Sequence, residues 1–223
     1  MIVVHHLENS RSQRILWLLE ELALPYELRL YRRDPETMLA PAALRAVHPL
    51  GKSPVISDGE RVVAESAVII EYLLDHYGEG RLRPALATPA YDDYRYWLHF
   101  AEGSVMPYLV MKLVFRKVET GPMPFFVRPI ARRIAAEVGR QFIDPNVQQI
   151  VAYIDVWLQQ HRWFAGEELS AADIQMSFVM EALASQEALC APYPAVQAYV
   201  QAMRARPAYQ RALQRGGPLD LQR

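Results

Sequence analysis

The chain has 223 residues, with 24 basic side chains against 25 acidic ones and a net charge of −1. That length can bury a substantial core as one large domain or two small ones, while the even charge offers no field to draw in nucleic acid or an anionic membrane. The one cysteine, Cys190, leaves no partner for an internal disulfide and fits a reducing compartment; with no signal peptide ahead of Ile2-Val3-Val4 and no long apolar run, a cytoplasmic location is expected.

Ile2 to His6 is expected to be a strand, in which His5 and His6 point to opposite faces and cannot chelate a metal together, so both are assigned structural roles. Ser12 to Leu24 has helical spacing, with Ser12 placed as a cap. Tyr26 to Leu30 alternates as a second strand with Tyr26, Leu28 and Leu30 on one face. A helix is expected over Pro35 to Val47. Next comes a hairpin of Val55-Ile56-Ser57 and Val62-Val63-Ala64 joined through Asp58-Gly59-Glu60-Arg61, since Asp-Gly between apolar runs is a strong turn signal. Ser66 is placed as the cap of a helix over Ala67 to Tyr77, stopped by Gly78-Glu79-Gly80. This order predicts an α/β domain over residues 1–80, a Pro-containing linker over 81–89 and a second domain over 90–223.

The second domain is expected to be an all-α bundle. Tyr94, Trp97, Leu98 and Ala101 share one face, and Leu109, Leu113, Val114 and Phe115 follow, with Pro107 expected to bend the segment. Further helices are expected over Pro129 to Gln141, Asn146 to Gln160, Ala171 to Ala188 and Ala195 to Ala205. Ser170 and Asp173 have capping-box spacing, with Leu169 and Ile174 as a hydrophobic staple. Arg128, Arg132, Arg133 and Arg140 form a solvated stripe, and Cys190 has no nearby His and is expected to be inert packing.

His48-Pro49-Leu50-Gly51-Lys52-Ser53-Pro54-Val55, followed by Ala64-Glu65-Ser66, outlines a notch for a peptide. Pro54 belongs at a strand's edge or first position, and Ser53 before it is pushed toward the extended region, where its N–H and C=O can pair with an extended ligand. The helix start at Ser66 would welcome a carboxylate and Glu65 an ammonium, a pairing suited to the zwitterionic end of an amino acid; a plain cap is the competing explanation. Whether Ser53-Pro54 is cis or trans stays open at this point.

Across nearly its whole length the chain resembles the cytosolic glutathione S-transferases. The resemblance rests on Leu7-Glu8-Asn9-Ser10-Arg11-Ser12-Gln13-Arg14, Gly51-Lys52-Ser53-Pro54, Glu65-Ser66 and Leu169-Ser170-Ala171-Ala172-Asp173-Ile174. The first of these is similar to a bacterial and fungal, serine- or asparagine-type subgroup. The resemblance implies a thioredoxin-like N-terminal domain with an all-α C-terminal bundle, glutathione as co-substrate with no metal, and a homodimer that binds neither nucleic acid nor membrane. It implies that Ser53, before a cis Pro54, pairs with the cysteinyl unit through its backbone, that Glu65 and Ser66 hold the γ-glutamyl end and that Lys52 lies near the glycyl carboxylate.

The chemistry so implied is thiolate attack. A free thiol near pKa 8.5 is only a few per cent ionised at pH 7, and lowering it by about two units asks for about 2.7 kcal/mol of anion stabilisation. The resemblance places the donor among Asn9, Ser10, Arg11 and Ser12, with Ser10 favoured, Asn9 next and Arg11 grouped with the glutathione-holding residues. No tyrosine precedes Tyr26 and no cysteine precedes Cys190, which disfavours tyrosine-type and cysteine-type members and argues against mixed-disulfide chemistry. Leu7, Met106, Tyr108 and Met111 are either the wall of a hydrophobic electrophile pocket or core, and His99 and Glu102 either face the cleft or lie on a solvated or interface surface. The expected activity is conjugation of glutathione to a hydrophobic electrophile. The alternatives are a non-catalytic binding protein of the same fold and a glutathione-dependent isomerase or dehalogenase.

Overall fold

A computed structural model describes residues 1–221. Strands β1 (Ile2–Leu7), β2 (Tyr26–Tyr31), β3 (Val55–Asp58) and β4 (Arg61–Ala64) form one sheet in the order β2-β1-β3-β4. The crossover from β1 to parallel β2 runs through helix α1 (Gln13–Glu21), while β3 pairs antiparallel with both β1 and β4. Helix α1 is sequestered along most of its length: Ile15, Leu16, Trp17, Leu18 and Leu19 are all fully buried, and its polar ends find partners in the helical region, Arg14 with Glu102 and Glu21 with Arg206.

Two expectations in this region are corrected. Only Ala42–Val47 is helical, as α2, and residues 35–41 are not. The Asp34 carboxylate collects the N–H groups of Glu36 and Thr37, and Met38 takes a φ of 58°, which closes a turn before Pro41 can start a helix. Ser66 is not a cap but the first residue of α3 (Ser66–Tyr77); Glu65 holds the capping position with a φ of 72° and makes no side-chain cap bond.

The remainder is helical: α4 (Pro89–Phe100), α5 (Met106–Thr120), α6 (Arg128–Val138), α7 (Asp144–Leu158), α8 (Ala171–Ala184), α9 (Glu187–Cys190), α10 (Pro194–Arg204) and α11 (Pro207–Gly216). The expected effect of Pro107 takes the form of a π-helical turn over Ala101–Val105, a wider winding that accommodates a ring lacking an N–H donor. The same device recurs over Gly139–Ile143, just before Pro145, so the helix expected to run to Gln141 ends in α-form at Val138. The helix expected to reach Ala188 stops at Ala184, where Ser185 and Gln186 turn the chain into α9.

Ser170 and Asp173 form the predicted capping box. The fully buried Asp173 carboxylate accepts from the N–H groups of Phe164 and Ser170 and from the hydroxyls of Ser170 and Tyr199. Cys190 is buried, its Sγ 3.2 Å from the Leu183 carbonyl oxygen, and burial raises its pKa. One hydrophobic cluster runs from Ile2, Val4 and α1 through Ile69 and Leu73 of α3 into Trp97, Ile174, Met180 and Tyr209. No helix among the described residues is long and apolar enough to cross a membrane.

Candidate functional site

Strand register brings the candidate segments to one end of the sheet. His5 of β1 lies opposite Val55, and Val55 lies opposite Ala64, so Ser53-Pro54 and Glu65-Ser66 leave the sheet beside the loop that carries β1 into α1. The Ser53-Pro54 bond is cis. The Ser53 hydroxyl donates to the His5 carbonyl at 3.1 Å and accepts from the Leu7 N–H at 3.3 Å, fastening this turn to β1. Within the hydrogen-bond network of the described residues, the backbone N–H and C=O of Ser53 remain unengaged.

Ser10 is the residue of the β1–α1 loop that meets this turn. It is 7% exposed, and its Oγ lies 3.4 Å from Ser53 Oγ and 2.7 Å from Ser12 Oγ. Ser12 stands at the capping position of α1, yet its hydroxyl makes no cap bond and turns to His6 Nδ1 at 2.8 Å. Because Ser12 is fully buried, it reaches a ligand only through Ser10. Asn9 takes a φ of 50°, a region its short polar side chain tolerates. Its Oδ1 accepts the Asp220 N–H at 2.7 Å, which ties the loop to the segment after α11.

Arg11 extends toward the helical region, where its Nη1 donates to Glu102 at 2.6 Å. The other oxygen of Glu102 accepts from Arg14 Nη1, also at 2.6 Å, and Arg14 further donates to Gln175 Oε1 at 3.1 Å. Burial lowers the Arg14 guanidinium to about 10, with Glu102 opposing the shift, so it remains a cation at neutral pH. Glu102 therefore bridges two arginines at the junction with the helices, whereas His99 is exposed. Ser66 is buried in the first turn of α3, Glu65 and Lys52 are exposed, and none of the three side chains is held by a bond to another described residue. Met106 belongs to the core, and Tyr108 and Met111 pack against it half-buried.

The histidine pair is more engaged than the sequence indicated. His5 bonds to the Tyr31 hydroxyl and to Ser57 Oγ, each at 2.9 Å. His6 bonds to Ser12 on one side and to the Gly216 carbonyl on the other, at 2.8 Å. The signal was the period-two alternation of β1, which puts His6 on the same face as Ile2 and Val4, toward α1. No cluster of His, Cys, Asp or Glu suited to a metal occurs among the described residues.

The glutathione S-transferase N-terminal domain pattern matches residues 10–76, and the C-terminal domain pattern of that family matches residues 140–207. Glutathione S-transferase 3 of Schizosaccharomyces pombe is 36% identical, the match covering 93% of this chain and 85% of that protein. Glutathione S-transferase 1 of Saccharomyces cerevisiae is 31% identical over 94% of this chain and 92% of its own. The crystal structure of a glutathione S-transferase from Actinobacillus pleuropneumoniae superimposes with a TM-score of 0.80 at 36% identity, covering 100% of this chain and 96% of the other.

Proposed function

The chain belongs to the glutathione S-transferase family and is a glutathione transferase, and we propose that it ionises bound glutathione and conjugates the sulfur to a hydrophobic electrophile. The observation that carries this reading is the meeting of Ser10, the unengaged backbone of Ser53 and the first turn of α3 at one end of the sheet.

In this reading the extended tripeptide pairs with the N–H and C=O of Ser53, as an added strand would. The free N–H groups of the first turn of α3, with the Ser66 hydroxyl, take the γ-glutamyl carboxylate; Glu65 takes the ammonium, and Lys52 lies toward the glycyl carboxylate. Ser10 donates to the sulfur. A hydrogen bond to a charged group contributes about 1.5–3 kcal/mol, which matches the demand of lowering a thiol by one to two units. Asn9 accepts the Asp220 N–H and Arg11 donates to Glu102, so both brace the loop in this scheme, and Ser10, whose hydroxyl meets the Ser53 turn, is the donor. Holding the electrophile against the apolar wall near Leu7, Tyr108 and Met111 adds proximity to thiolate stabilisation. Association as a homodimer is part of the proposal.

Titration calorimetry with glutathione, followed by turnover of an aromatic halide, an epoxide and a peroxide, tests it. Binding with conjugation of at least one carbon electrophile is expected. Binding with no conjugation of any of them would overturn the conjugation step, and sedimentation equilibrium tests the dimer.

A further inference from the structure

The hydrogen bonds behind Ser10 have a direction. The Gly216 carbonyl can only accept, so His6 Nε2 carries the proton and Nδ1 carries a lone pair. Ser12 must therefore donate its hydroxyl proton to Nδ1, at 2.8 Å. With that proton spent, Ser12 Oγ accepts from Ser10 at 2.7 Å, a better bond than the 3.4 Å alternative to Ser53. Ser10 also accepts the Ser12 N–H at 3.3 Å, which leaves one lone pair of its Oγ unused. In its resting state Ser10 thus offers an acceptor, the complement of a thiol S–H.

We propose that His6 is a positioning residue that terminates a Ser10–Ser12–His6 proton relay, receiving the proton that glutathione gives up on ionising. This rests on the conjugation reading above. The S–H bond breaks as its proton passes to Ser10 Oγ; the Ser10 proton passes to Ser12 Oγ, and the Ser12 proton to His6 Nδ1. The products are a thiolate and an imidazolium, and each serine keeps one proton. The direction of the chain is now reversed: His6 donates to Ser12, Ser12 to Ser10, and Ser10 to the sulfur. The same hydroxyl that accepted from the thiol becomes the donor that stabilises the thiolate.

Transfer inside the protein creates both charges together, so the site gains no net charge. His6 faces Glu8 just after β1, Ser12 at the capping position of α1 and Gly216 of α11, with Gln13 Oε1 also against Gly216. Burial holds its pKa below the usual value, which keeps the free imidazole neutral, while the Gly216 carbonyl and Glu8 favour the imidazolium once the thiolate has formed. Gly216 lies so close to this group that an added Cβ would meet Gln13 Oε1 and Leu16 Cδ1 at 2.5 Å and His6 Cε1 at 3.1 Å. That approach lets a main-chain carbonyl of α11 fix the tautomer.

The test uses the full chain with isotopically labelled histidine ring nitrogens, observed by nuclear magnetic resonance with glutathione and with S-methylglutathione, which has no thiol proton. Glutathione is expected to protonate His6 Nδ1, and S-methylglutathione to leave it bare. A bare Nδ1 beside an ionised sulfur would overturn the relay and leave the transferase reading intact, whereas failure of both ligands to bind would overturn that reading and the relay together. His6→Gln keeps a donor for Gly216 but removes the base. It is expected to raise the half-ionisation pH of bound glutathione by about one unit, with unchanged affinity for S-methylglutathione; an unchanged half-ionisation pH would also overturn the relay.

Discussion

Glu102 shows how differently two ion pairs on one carboxylate weigh. The Arg11 side chain is 40% exposed and that of Arg14 is fully buried, although both stand 2.6 Å from Glu102. An exposed pair contributes at most about 1 kcal/mol, whereas stranding a buried charge costs about 3–5 kcal/mol. Glu102→Ala leaves Arg14 with the Gln175 oxygen as its remaining acceptor, so it is expected to destabilise the protein by about 3 kcal/mol and Arg11→Ala by less than 1 kcal/mol in urea unfolding. Equal losses would show that the buried guanidinium does not depend on this carboxylate. At this scale the sequence was a partial guide. Ser53 and Pro54 could be picked out because a proline and a strand pattern act within short stretches of chain, whereas Ser10 was singled out by the family resemblance and by no local pattern of its own. The partners of Arg14, Asn9 and His6 lie 88, 211 and 210 residues away, at Glu102, Asp220 and Gly216. No local pattern announces contacts of that separation.

Among the elements, α8 was legible and α11 was not. The box of Ser170 and Asp173 is a four-residue signal, and burial of Asp173 pushes its carboxyl up to about 6 from 3.8, against hydrogen bonds that favour the carboxylate. A carboxyl raised in the folded state binds its proton more readily folded than unfolded. Its contribution is therefore fully present below about pH 4 and is lost as the pH rises through about 6. Asp173→Asn is expected to lose about 1–3 kcal/mol at neutral pH. It should also lack the relative gain in stability that the parent shows on acidification from pH 6 to pH 4. Parallel stability profiles for the two proteins would contradict the shift. Helix α11, by contrast, buries only Ala208, Tyr209 and Ala212 in its ten residues, too sparse a stripe to announce a helix. It is held from outside: Arg206 makes a two-pronged bond to Glu21, Arg211 reaches Glu20, and Tyr209 packs edge-on against Trp17. Pro35 to Pro41 failed in the opposite sense: Asp34 takes the Glu36 and Thr37 N–H groups as a helix cap would, but Met38 turns to a φ of 58° and the Asp34 N–H bonds back to the Leu39 carbonyl, so the chain closes a turn instead of continuing as a helix.

The sheet-bearing and helical regions are joined as one body. Their apolar side chains form a single cluster, and Arg14–Glu102 and Arg206–Glu21 cross between them. Unfolding followed by tryptophan fluorescence and by circular dichroism should therefore coincide at one urea concentration, and two separated transitions would show that the regions are independent. The proposed function requires an ionised sulfur beside Ser10, and the ultraviolet absorbance of bound glutathione thiolate against pH measures it directly. The expected half-ionisation lies one to two units below that of the free thiol, and Ser10→Ala moves it back up by about the same amount. A titration that matches free glutathione in the parent protein, or one that Ser10→Ala leaves in place, would contradict the account.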